Sequence, residues 1–277
     1  MIKSRRDVIL HEARLLFNLA ASTLVLEIGA TFAPALIASR VGTQLGKVAL
    51  SALSLSTVVG NMLCASILTG ILSASDTLSP QAFGCGNERE VGLIAVRAFF
   101  AVMIIVTPIQ ICTYIGMKPL LTLLGEDESS IELAFQWYSI YLLSVPFYLL
   151  YQIIWKFLAA QEIMAPLTWV TAIATFGFLP LTLELCLSTM GFIGSSIANV
   201  IYQIVQVTML IVYLKVAQPY YKKTWPGLSA WREAISWQPF WSFLRLGLGG
   251  ILTVTVSLCY SIMFPFKSYF LLKLTFL

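Results

Sequence analysis

The sequence predicts an all-α integral membrane protein, and three observations predict it. Only 11% of the residues are charged, less than half of the about 25% found in an average soluble domain. Hydrophobic residues make up 58%, and the mean hydropathy is +0.86. The apolar residues gather into seven unbroken runs, each of the ~20 residues that a helix needs to cross ~30 Å of hydrocarbon. With no water in that layer, every backbone amide must be satisfied inside its own segment, which forces helix. A transmembrane β-barrel would alternate apolar and polar positions over about ten residues. These runs are continuous.

In chain order, a basic start (Lys3, Arg5, Arg6) leads through HEARLLFNL into the first run, 15–38, with no cleavage pattern of a signal peptide. The second run is 48–73. The Ser79-Pro80 pair and the glycines Gly84 and Gly86 predict a turn that begins at Ser79-Pro80, and the third run follows at 91–117. An acidic loop (Glu126, Asp127, Glu128) separates it from the fourth, 131–158. The fifth, 167–187, and sixth, 192–216, are joined by an uncharged loop, and the seventh is 240–264. The one long polar connection, 218–238, carries WREA and, with Trp241, four tryptophans. That composition predicts a short helix lying at the membrane surface. Pro34, Pro108, Pro146 and Pro180 fall within runs, where each removes an amide donor and can kink its helix.

Orientation follows from Lys and Arg in the loops. One side holds Lys3, Arg5, Arg6, Arg14, Arg89, Arg97, Lys156, Lys215, Lys222, Lys223 and Arg232. The other has Arg40, Lys47 and Lys118 beside the acidic loop. The N-terminus is therefore expected in the cytoplasm.

An ionisable residue inside a span costs about 2.5–3.5 kcal/mol on insertion scales, so each such residue is a functional hypothesis. Glu27 lies mid-run in TLVLEIGATF with no cation in its helix core. In a poorly hydrated cavity its neutral form gains, which suits a group that binds and releases a proton; hydrogen bonding to neighbouring helices is the structural alternative. Asp76, at the end of its run, could instead accept hydrogen bonds from the 79–86 turn. Glu184 is near the end of its own run, close enough to reach water. The neutral polar residues Asn61, Gln110, Gln152, Asn199 and Gln203 could glue helices or bind a ligand. Aromatics crowd the fourth run (Trp137, Tyr138, Tyr141, Tyr148, Tyr151, Trp155). They form an interfacial belt or packing, or, facing a cavity, hold an organic cation by its attraction to the ring faces.

No nucleophile constellation, phosphate-cradling loop or metal-ligand spacing is present, which leaves an enzyme or an ATP-driven pump without support. His11 stands alone in the polar start and reads as an interfacial histidine. The five cysteines show no CxxC pair, and a net charge of +4 gives no ground for nucleic-acid binding. No cofactor is expected.

Several motifs in fixed order resemble the multidrug and toxic compound extrusion (MATE) transporters of the eukaryotic type. Asp76-Thr77-Leu78 with Gln81-Ala82-Phe83-Gly84 is similar to DTLxxQAYG, and Val91-Gly92 with Arg97 to VGxxxxR. Lys156-Phe157-Leu158 with Gln161 and Pro166 is similar to KYLxxQxxxxP. Gly191-Phe192-Ile193-Gly194-Ser195 with Ala198-Asn199 resembles GVIGxAxAN. The likeness covers residues 15–251.

That resemblance implies an antiporter that exports organic cations or xenobiotics against a proton or sodium gradient, in a lipid bilayer of plasma-membrane or vacuole-like type. It implies one six-helix lobe of a twelve-helix transporter (1–216), a cytoplasmic linker (217–238) and a first helix of the second lobe with a non-family tail (239–277). Glu27 is the expected ion-coupling residue. Asn61, Tyr151 and Glu184 are expected in the substrate cavity, and Asp76, Gln81, Gly84, Arg97, Lys156 and Gln161 in structural motifs. The family's coupling glutamate of the seventh helix (MLMxCxEWW) has Ser257 in its place, which reads as a truncated product that would not transport alone. Two alternatives stand beside this: a seven-helix receptor, and a fragment that associates with a full-length homologue.

Overall fold

The computed structural model describes the backbone of residues 5–217, 222–227 and 230–275; the side chains of 5–12, 14–16, 18–19, 62, 222 and 257–275 are not described. The expectations for His11 and Ser257 lie outside the described side chains. Every described element is helical: α1 (Arg5–Gly60), α2 (Ser66–Gly84), α3 (Glu88–Leu123), α4 (Glu128–Tyr141), α5 (Val145–Ala159), α6 (Ala165–Ala172), α7 (Leu179–Met190), α8 (Phe192–Ala217), α9 (Trp231–Ala234) and α10 (Trp237–Thr275).

Six stretches among the described residues are long and apolar enough to span a membrane: Ala20–Gly84, Glu88–Leu123, Glu128–Ala159, Ala165–Met190, Phe192–Ala217 and Trp237–Val256. They carry all seven apolar runs, because the first two fall in one stretch. Between residues 38 and 48 the chain breaks at Gly46, with φ 84° and ψ −172°, so Arg5–Gly60 holds two helices joined at a kink. A methyl on Gly42 would meet the Leu50 side chain at 3.2 Å, a contact that residues eight apart in one straight helix cannot make.

The turn expected at Ser79-Pro80 lies further on. α2 continues through Pro80 to Gly84. Pro80 removes one i→i−4 amide donor in the last turn and can bend the helix there without ending it. The reversal is made by Gly86, at φ 77°. Its amide donates to the Phe83 carbonyl (3.0 Å) and the Asn87 amide to that of Ala82 (2.9 Å), the paired bonds of a glycine helix stop.

The prolines mark joints. Pro146 enters α5 just after a 3₁₀ turn at Leu142–Ser144, so the fourth run is two helices in series. Pro180 opens α7 directly after a π-helical stretch, Ile173–Phe178. Its missing amide frees a carbonyl in the preceding turn, and the wider π spacing re-pairs that turn. A second π stretch, Asn61–Ala65, links α1 to α2.

The chain forms two compact units, each built from separated segments. One comprises Met1–Leu50 and Leu143–Lys222; the other comprises Ser51–Leu142 and Lys223–Leu277. In the first, Ala33, Ala174, Leu179 and Tyr202 form a buried core with Leu36 packed on it. In the second, Leu68, Ile71 and Leu72 of α2, Met117 and Leu121 of α3 and Phe243 of α10 are buried almost completely. Large apolar side chains such as Ile111, Trp169, Leu181 and Leu185 are mostly exposed. A contiguous apolar exterior on this scale suits lipid.

Candidate functional site

The first unit has an interior polar cluster on four helical segments. Tyr151, on α5 and 5% exposed, shares a 2.6 Å hydrogen bond with Thr171 of α6. The Gln206 amide of α8 reaches the same Thr171 oxygen at 3.4 Å. Thr175, in the π stretch, shares a 2.9 Å bond with the Tyr202 hydroxyl of α8, and Tyr202 is also hydrogen-bonded to Gln206. Thr171, Thr175 and Gln206 are buried. In a low-dielectric interior such groups are costly when unpaired, so they hold one another in place.

α1 lies directly against this cluster. A methyl group on Gly29 would come within 2.9 Å of the Thr171 methyl carbon. Two residues earlier, Glu27 is exposed, and Tyr148 of α5 is hydrogen-bonded to Gln152. The unit thus assembles three tyrosines (Tyr148, Tyr151, Tyr202), two threonines and two glutamines. The Tyr151 and Trp155 rings are 6.2 Å apart, adding aromatic surface. The Gln203 side-chain oxygen is buried with no hydrogen-bond partner among the described residues.

Of the expected cavity residues, Tyr151 belongs to this cluster. Glu184 is engaged elsewhere in the same unit. Its carboxylate meets the Arg40 guanidinium at 2.7 Å and accepts from the Gln44 amide at 2.9 Å, both on α1. Asn61 lies in the other unit, exposed in the π stretch, with its carbonyl accepting from Ser66 (2.9 Å).

The motif residues divide similarly. Asp76 and Gln81 are exposed on α2 and Gly84 ends it. Arg97 is 3% exposed, donating to Glu90 and to the Ala234 carbonyl, both at 3.0 Å. In the first unit, Gln161 is buried and donates to the Phe157 carbonyl (3.0 Å), while Lys156 lies over the Trp155 ring.

Thr171, Thr175, Tyr202 and Gln206 were not singled out from the sequence. Their signal was there. Thr171 and Thr175, and Tyr202 and Gln206, are each four apart in otherwise apolar runs, so each pair lies on one helix face.

Residues 20–184, more than half of the chain, match the family model described as MatE. The chain belongs to the MatE family. It is 29% identical over 248 residues to multidrug and toxin extrusion protein 1 of Xenopus tropicalis, covering 89% of this chain and 42% of that protein. Against Protein DETOXIFICATION 16 of Arabidopsis thaliana it is 31% identical over 216 residues, 78% of this chain and 43% of the relative. The crystal structure of the eukaryotic MATE transporter AtDTX14 superposes with a TM-score of 0.81 at 18% identity, covering 90% of this chain and 54% of that one. The chain thus spans about half the length of these MatE proteins. A multi-pass membrane protein of the MatE family is what these findings show, and the seven-helix receptor alternative drops out.

Proposed function

We propose that this chain is part of an exporter of small organic cations, driven by inward movement of protons or sodium ions, with Glu27 as the coupling carboxylate. The observation that carries the proposal is the buried Tyr151–Thr171–Gln206–Tyr202–Thr175 cluster packed against α1 at Gly29, two residues from Glu27.

The chemistry follows from charge balance. An ionised Glu27 attracts a cation, and the faces of Tyr148, Tyr151 and Trp155 add attraction to a delocalised one. A proton, or a sodium ion, taken up at Glu27 cancels that attraction, so drug and coupling ion compete for one carboxylate. Competition of this kind gives exchange when the site opens to each side in turn. The surrounding hydroxyls and amides would hold the tyrosine rings in place as the charge changes. In this reading the N-terminus is cytoplasmic and the protein resides in a plasma or vacuole-like membrane.

The test is equilibrium binding of a fluorescent organic cation to the purified chain in lipid nanodiscs between pH 5.5 and 8. Affinity should rise with pH, because one proton competes with the cation for one site. Glu27→Gln should bind weakly and without pH dependence. Unchanged pH dependence in the variant would remove Glu27 from the role.

A further inference from the structure

We infer that the described residues between α8 and α10, 223–227 and 230–234, form a fixed strap that Arg97 fastens to the head of α3, so that α10 moves as one body with α2 and α3. A polar connection between two helical bundles is ordinarily a flexible hinge. Here four observations within the second unit argue against that.

First, Arg97 is 3% exposed and its guanidinium is shared between the strap and its own helix. Nε donates to the carbonyl of Ala234 and Nη1 to Glu90, both at 3.0 Å. Ala234 closes α9, so Arg97 satisfies a carbonyl at the C-terminal end of that short helix, where intrahelical donors run out. Freeing the strap would leave a buried guanidinium with one acceptor fewer, which is strongly unfavourable.

Second, the strap meets α3 backbone to backbone. A methyl group on Gly92 would overlap the Thr224 carbonyl and the Pro226 ring, and Thr224 is fully buried. Only glycine admits that approach. Third, Ala234 is fully buried against Leu93 and Val96, with Phe100 and Ala230 closing the contact, while Arg89 pairs with Glu233 at 2.6 Å on the exposed side.

Fourth, the first turn of α10 does not rest directly on the α2–α3 turn. A cavity of about 360 Å³ lies between them, lined by Gln81, Cys85 and Asn87 on one side and Pro239 and Ser242 on the other, with Arg97 and Glu90 on its wall. At this end the strap joins α10 to α3 beside that cavity. Further along, α10 is fixed by close crossing of α2, where Gly250 abuts Ser73 and the Gly70 carbonyl.

The consequence is mechanical. Whatever follows α10 inherits the movement of α2 and α3 through the strap, which acts as a lever and not as a joint. That last clause rests on the exporter reading above; the docking of the strap does not, and its test needs no transport.

Hydrogen exchange by mass spectrometry on the full chain in nanodiscs reads it directly. The amides of Ala230, Ile235 and Ser236 donate within the strap and its exit. Peptides covering them should exchange at least about 100-fold more slowly than an unstructured chain, as for a cooperatively packed segment. Arg97→Gln should speed exchange there by about tenfold or more, with α8 peptides unchanged, and Arg97→Lys should recover part of it because one ammonium can reach one of the two acceptors. Arg89→Gln, at the exposed pair, should change exchange by less than about threefold. If Arg97→Gln does not fold, Gly92→Val presses on Thr224 with Arg97 intact and should release the same peptides. Near-random exchange of the strap in the parent, or protection indifferent to both Arg97→Gln and Gly92→Val, would overturn the inference.

Discussion

Thr171 is the residue on which the polar cluster turns, because its single hydroxyl serves both Tyr151 and Gln206. Thr171→Val keeps the shape and removes both bonds, leaving buried polar partners unsatisfied. The expected cost is about 1–3 kcal/mol by the usual penalty for orphaned groups, and towards the lower end where lipid-embedded alternatives exist. Thr168→Val is the control. Its hydroxyl bonds only the carbonyl of Met164 one turn back, so stability to SDS unfolding should barely change. Glu162 makes a second test at this scale. It holds φ 61° at the end of α5, where its amide and that of Ile163 close the helix onto Ala159 and Leu158. Side chains adopt that backbone region at a cost, so Glu162→Gly should raise stability by about 0.5–1 kcal/mol. A lower unfolding midpoint would contradict the reading of that turn.

Among the elements, the crossing of α2 and α10 depends on missing side chains. On Gly70 a methyl would strike the Ile251 backbone, and on Gly250 it would strike Ser73 and the Gly70 carbonyl; on Gly249 it would meet nothing within 4 Å. In lipid, where apolar burial gives little drive, such close backbone approach is a main source of helix association. Gly250→Val should therefore cost more than the about 1–3 kcal/mol typical of overpacking, since backbone and not a flexible side chain must give way. Gly249→Val should be nearly neutral. Thermal unfolding in detergent separates the two. Elements were the most legible part of the sequence, because apolar length alone forces helix in a bilayer. What escaped was the manner of joining. The two runs 15–38 and 48–73 are legible as separate helices, but nothing in the residues 39–47 singles out Gly46 as the point where they part, and Ser79-Pro80 looks like a turn until Gly86 is seen to make one six residues later.

At the scale of the whole molecule, the chain does not fill its units in sequence order. It passes between them after Leu50, after Leu142 and after Lys222, each time close to an interruption in regular helix: Gly46, the 3₁₀ turn Leu142–Ser144 and the 3₁₀ turn Lys222–Thr224. A reading based on order along the chain groups α10 with whatever comes next; proximity groups it with α2 and α3. The site was legible in part for the same reason. Glu27 stands out because a lone carboxylate in an apolar run demands an account, and Tyr151 because aromatics crowd its run. Thr171, Thr175 and Gln206 are individually unremarkable and become a site only when α5, α6, α8 and α1 converge. Glu184 stood out equally, yet its partners Arg40 and Gln44 sit on a different helix, which one-dimensional spacing does not reveal.

The central claim is that one carboxylate, Glu27, serves either an organic cation or a coupling proton. Its most direct test is proton release: a saturating organic cation is added to the purified chain in weakly buffered solution near pH 6, and the protons set free are counted with an indicator dye. The account predicts a measurable proton release that vanishes in Glu27→Gln while the variant still folds. Release undiminished in that variant, or tight cation binding with no release in the parent at any pH from 5 to 8, would contradict it.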